Sequence, residues 1–210
     1  MTQPMPLTQS LAQIQDWMVK NAPGVTFRPP ANLAAVENFA VKSRVDIPEA
    51  LRQTLMVADG ESRKSAGAIG NWRLMPIAEI QAAWGLLNRL KQKGAFAGLT
   101  PNHSPYLVNK WWHESWIPIV SSDNGDYFCL DTQPPETDRS GQVLLFLQTQ
   151  PHRPLVAGSL AAWFDRIVRD LADGVYAYDP IEGFDGEAFM WSALESKHLF
   201  DHLGGRLVAG

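Results

Sequence analysis

Cysteine is almost missing from this chain. Cys129 stands alone among 210 residues, so no internal disulfide can form and a reducing compartment is the natural setting. Long apolar runs are missing too. No stretch approaches the ~18 consecutive apolar residues of a membrane span, and Met1 to Ser10 holds no Lys or Arg ahead of an apolar segment, so the expectation is a cytoplasmic protein, neither secreted nor inserted in a membrane. Charge is sparse at 19% of residues, with a net charge of -4, which sets nucleic acid aside as a partner because phosphate affinity comes from clustered Lys and Arg. What is present is core material: 45% of residues are hydrophobic and eight are tryptophan. At about 150 residues per domain, this is one domain with an appendage. The charge is split by sign, with 12 basic and 7 acidic residues in 1–110 against 6 and 15 in 111–210. Such a field steers oppositely charged partners without dictating a fold.

Leu11, Ile14, Trp17 and Met18 recur at helical spacing behind Ser10, an expected N-cap, and Pro23-Gly24 ends the run. Asn32 is placed to cap a second helix through Leu33, Val36, Phe39 and Ala40. Pro48-Glu49 opens a third, which closes at Asp59-Gly60. Trp72 and Leu74 suggest a brief strand, followed by a long helix on Ile77, Ile80, Ala83, Trp84, Leu87 and Leu90. Residues 94–110 read as irregular. The period then changes: Trp116–Val120, the turn Ser122-Asp123-Asn124-Gly125 and Tyr127–Leu130 predict a hairpin, with a further strand at Val143–Leu147. So short a connection makes the sheet antiparallel. Val156, Leu160, Trp163, Phe164, Ile167, Val168 and Leu171 form a last helical stripe, with Ser159 as N-cap and Trp163 expected against the sheet. Beyond it, eight acidic residues and one basic one lie between Asp170 and Asp201, interleaved with aromatic residues that predict a docked tail.

The chemistry sought is thin. Cys129, between the strand formers Phe128 and Leu130, reads as a small buried hydrophobe rather than a nucleophile. Gly60 to Ser65 imitates the end of a phosphate loop without the glycine that should precede Lys64. Glu195, His198 and His202 would share one helix face and could bind zinc; a solvated terminal helix explains them as well. No cofactor is called for. Trp72, Trp111 and Trp112 lie in or beside loop-like segments, where a tryptophan is either a buried anchor or an interface hot spot, and the sequence leaves both open.

Several landmarks in order resemble the Smi/Knr family of the SUKH superfamily: Ile47-Pro48-Glu49-Ala50-Leu51, Leu74-Met75-Pro76-Ile77-Ala78-Glu79-Ile80, Trp116-Ile117-Pro118-Ile119, Gly125 to Asp131, and Gly158-Ser159-Leu160-Ala161-Ala162-Trp163-Phe164. The resemblance covers roughly residues 33–172. It implies an α+β fold, a mainly antiparallel sheet flanked by helices, in a single domain with an acidic C-terminal extension. Residues 1–30 would form an N-terminal helix and linker, 31–172 the family domain and 173–210 the extension. The recurring family residues, matched here by Gly60, Trp116, Pro118 and Asp131, look structural, with Pro118 expected on an edge strand. No catalytic set comes with the family.

The reading this favours is a non-catalytic binding domain, an immunity protein that neutralises a cognate toxin. A regulatory scaffold tied to cell-wall synthesis is the alternative, and a metal-dependent hydrolase at Glu195, His198 and His202 the third. Asp179, Glu182, Asp185 and Glu187 around Phe184, with Asp123 and Asp126 at the hairpin turn, are the expected negative surface for a basic protein partner. Trp72, Trp111 and Trp112 are the other candidates for partner contact.

Overall fold

Pro6 rather than Ser10 opens the first helix, α1 (Leu7–Asn21). The Pro6 carbonyl accepts the amides of Gln9 and Ser10, and Ser10 is buried inside the helix with Oγ facing that carbonyl. A proline at a helix start gives up an amide that has no partner there anyway, which is why the start moved upstream of the expected cap. The computed structural model describes residues 4–21, 25–62, 72–102, 104–122, 124–180 and 189–193, with side chains as far as residue 175. The next two helices keep their expected starts. Asn32 Oδ1 accepts Ala34 N at 2.9 Å to cap α2 (Leu33–Ser43), and α3 (Glu49–Val57) follows Pro48.

Five strands run as an antiparallel meander in chain order: β1 (Arg73–Leu74), β2 (Trp116–Ser121), β3 (Tyr127–Asp131), β4 (Gln142–Phe146) and β5 (Leu155–Ala157). Between the first two lies α4 (Ile77–Gln92), and α5 (Leu160–Ala172) follows the last. An α+β fold with an antiparallel sheet is thus what the chain adopts. Two local expectations are corrected. Val156 belongs to β5, not to the last helix, because Ser159 caps that helix by accepting Ala162 N at 3.1 Å. Pro118 sits on the inner strand β2 rather than on an edge. It pairs with Cys129 beside a β-bulge, a site that tolerates a missing amide, and β1 pairs only with Val120 and Ser121. The tail forms a second hairpin, β6 (Tyr176–Pro180) with β7 (Phe189–Ala193), which the sequence reading did not foresee.

Both faces of the sheet are covered, which is why β2 and β4 read as unbroken apolar runs instead of alternating. One face carries Ile117, Ile119, Phe128, Leu130, Val143 and Leu145 into a core with α1, α3 and α5. Trp163 is 1% exposed there, its ring 4.7 Å from that of Phe128. The other face carries Trp116, Cys129, Leu144 and Phe146, roofed by Leu107, Trp111 and Trp112 from a covering loop that leaves α4 at residue 93 and rejoins the sheet at 115. Helix α4 gives Ile77 and Ile80 to the first core and Leu87 to the second. The irregular insertion is therefore the roof of a second core.

Candidate functional site

A row of three side chains crosses the sheet beneath the end of the covering loop. Trp116, Asp131 and Gln142 are directly opposite one another on β2, β3 and β4, so strand register alone brings them onto one face. Asp131 is fully buried. Its Oδ1 accepts Ser115 Oγ at 3.2 Å and Gln133 N at 3.1 Å, and Oδ2 accepts Gln142 Nε2 at 3.2 Å. Gln142 Nε2 also donates to Tyr106 O at 2.7 Å, tying the loop to the sheet. Outside this row, His113 Nδ1 lies 2.7 Å from Ser115 Oγ and accepts Ser115 N at 3.3 Å. Burial raises the Asp131 carboxyl above its ordinary range, opposed by its three hydrogen bonds. Burial also lowers His113, opposed mainly by Glu114.

Serine, histidine and aspartate in contact invite comparison with a hydrolytic triad, and the order is wrong. A triad needs histidine in the middle to take the serine proton while aspartate orients it. Here Ser115 stands between His113 and Asp131, is 2% exposed, and has its single proton engaged within the cluster. The arrangement can clasp a loop and relay a proton. It has no exposed nucleophile.

A buried arginine makes the second clasp. Arg153, 4% exposed, lies over the rings of Trp111 and Phe146, 4.6 Å from each centroid. Its Nε and Nη2 donate to Trp111 O at 3.3 and 3.1 Å, and Nη1 donates to Gln150 O and His152 O at 2.5 and 2.8 Å. Carbonyl dipoles and ring faces take the place of a carboxylate, and burial brings the guanidinium pKa down to about 10. Cys129 beneath it is fully buried, its thiol pushed well up by the same desolvation.

The structure separates the residues expected at a partner surface. Trp111 and Trp112 are 7% and 2% exposed, roof anchors of the second core, with Trp112 Nε1 donating to Asn88 Oδ1 at 3.1 Å. Neither ring offers a contact face. Trp72 is half-buried, its ring 4.6 Å from that of Phe128. Asp126 braces the hairpin by accepting Gln148 N at 2.8 Å. Asp179 is on β6 opposite Met190. Asp123, Glu182, Phe184, Asp185 and Glu187 lie outside the described residues, as do Glu195, His198 and His202. Among the described residues no group of three His, Cys, Asp or Glu side chains is placed to hold a metal ion, and no helix is long and apolar enough to cross a membrane.

Sequence reasoning missed Ser115, His113, Gln142 and Arg153. The first three sit up to 29 positions apart in sequence and meet only through strand register and loop closure. No local pattern marks them. Arg153, flanked by His152 and Pro154, reads as an ordinary solvated loop cation.

Comparison with known proteins places this fold. The chain is 24% identical over 192 residues to a cell wall biosynthesis/cell cycle regulator, smi1, of Schizosaccharomyces pombe, a match covering 84% of this chain and 38% of that protein. It is 24% identical over 169 residues to a glucan synthesis regulatory protein of Neurospora crassa, covering 63% of this chain and 32% of that protein. The chain thus spans about a third of the length of the curated relatives it matches. A family model matches residues 30–166, from just before α2 into α5, leaving α1 and the β6–β7 hairpin outside it. With that match extending over well more than half of its length, the chain belongs to the SMI1 / KNR4 family (SUKH-1).

Proposed function

We propose that this chain is a non-catalytic, cytoplasmic protein-binding module that regulates cell-wall polysaccharide synthesis. The observation that carries the reading is the sealed cluster at Asp131: the side chains that look most like a catalytic set are buried, in the wrong order, and spent on holding a loop. Regulation by binding needs no such set, and both curated relatives are named as regulators. Those names favour regulation over the toxin-immunity role that the sequence resemblance implied.

The test is deletion of the gene in its host, followed by measurement of labelled sugar incorporated into wall glucan, with partners isolated from the same cells and the complex rebuilt from purified components. Incorporation should change on deletion and return with the reintroduced gene. Unchanged incorporation, together with rescue from the product of an adjacent toxic reading frame, would overturn the regulatory reading in favour of immunity.

A further inference from the structure

The starts of α1, α3 and α5 converge on the side of the molecule away from the covering loop's core and leave an open cleft of ≈ 790 Å³. Its floor is apolar and low: Met5, Pro6 and Leu7 from the segment entering α1, Ala50 from α3 and Ala161 from α5. Gln9, Glu49 and Gln53 stand on its rim. This is the size and make-up of a binding site, mostly apolar with a few polar groups to fix orientation. Met5, half-buried at the mouth, adds an adaptable thioether surface.

The polar groups say what would fit. Glu49 is the one charged residue of the lining, and no ion pair engages it among the described residues. Gln53 Nε2 donates to Glu49 Oε1 at 3.2 Å, so carboxylate and amide form a short row one helical turn apart on α3. Two helix starts that could attract an anion are already answered, α5 by Ser159 and α3 by Glu49 in its own first turn. The cleft therefore selects a cation. Four residues of helix rise about 6 Å, and alternate side chains of an extended peptide are about 6.6 Å apart, so Glu49 and Gln53 can address successive same-side positions of one extended strand.

We propose that this cleft binds an extended segment of a partner protein, seating alternate apolar side chains on the Met5, Ala50 and Ala161 floor and one Lys or Arg against Glu49. The inference rests on the binding-module reading and names a surface for it. Three fluorescein-labelled 12-residue peptides with alternating leucines and a single central Lys, Glu or Gln serve as probes of the whole chain by anisotropy. The Lys peptide should bind about tenfold more tightly than the Glu peptide, an exposed attraction set against an exposed repulsion. Glu49→Lys should reverse that order, and Ala161→Trp, which fills the floor, should abolish binding of all three. Should Ala161→Trp fail to fold, Glu49→Lys at an exposed first-turn position decides alone. Equal binding of the three peptides, no binding, or an order unchanged in Glu49→Lys overturns the proposal. A rebuilt partner complex that survives both substitutions would overturn the cleft while leaving the regulatory reading standing; a wild-type chain with no partner at all would overturn that reading instead.

Discussion

Asp59 caps a helix to which it does not belong. Its Oδ1 accepts the amide of Ile77 at 2.7 Å, satisfying the start of α4, for which Pro76 has no side-chain donor or acceptor to offer. The neighbouring Gly60 makes the approach possible. At φ +68°, a Cβ there would lie 2.3 Å from Pro76 N and 2.5 Å from Met75 C. The end of α3 is thereby locked onto the strand-to-helix step of β1 and α4. Gly60→Ala should lower stability by about 3 kcal/mol or more, combining positive-φ strain with a backbone clash. Asp59→Ala should cost about 1 kcal/mol and Asp59→Asn less, since the amide oxygen can still accept. Urea midpoints for the three variants check the ranking; Gly60→Ala matching wild type would mean the two segments are not in contact.

Trp163 is the central ring of the first core, stacked with Phe164 at 5.7 Å as well as packed on Phe128. Trp163→Ala should cost about 3–5 kcal/mol, transfer and cavity together. An unchanged melting midpoint is the result that would refute this packing.

His113 and Asp131 should give stability profiles of opposite slope. Burial holds His113 below its ordinary 6.5, so between the folded and unfolded values the unfolded chain binds more protons and stability falls as pH drops through 6.5. Burial holds Asp131 above its ordinary 3.8, so there the folded chain binds more protons and stability falls as pH rises from 3.8 through the folded value. His113→Gln should flatten the profile just below 6.5, and Asp131→Asn should flatten it just above 3.8. Denaturant midpoints followed across that range read both, and two variants parallel to wild type would remove these residues as the source of the pH dependence.

Arg153→Lys should behave as a damaging change, because an ammonium cannot span the Trp111, Gln150 and His152 carbonyls while lying flat between two rings. We expect a loss of about 2–4 kcal/mol from its charged hydrogen bonds and ring contacts. Amide exchange in residues 104–113 should rise. The same variant should expose Cys129, which in the wild type reacts slowly with thiol reagents because it is buried and held protonated. Exchange and labelling rates equal to those of wild type would show that the roof is held by something other than Arg153.

The sequence by itself determined what local chemistry decides. Asn32 and Ser159 cap their helices because each side-chain oxygen reaches an amide two or three positions on, and the Ser122–Gly125 turn joins β2 to β3 because a reversal that short leaves the strands no other partner. Family membership was legible for the same reason, through landmarks fixed in order along the chain. Tertiary structure alone decided the rest. Residues 93–115 carry no period, yet they become the roof of a second core once both faces of the sheet need covering. Asp131, Gln142 and Ser115 become one cluster only when strand register sets them side by side, and Trp111 and Trp112 turn from possible contact surface into anchors when Arg153 closes over them. The cleft at Glu49 exists because three helix starts, far apart in sequence, meet at one end of the packed helices. Capping and turn formation are settled within a few bonds, whereas burial depends on which distant segment arrives, and no short stretch of sequence specifies that arrival.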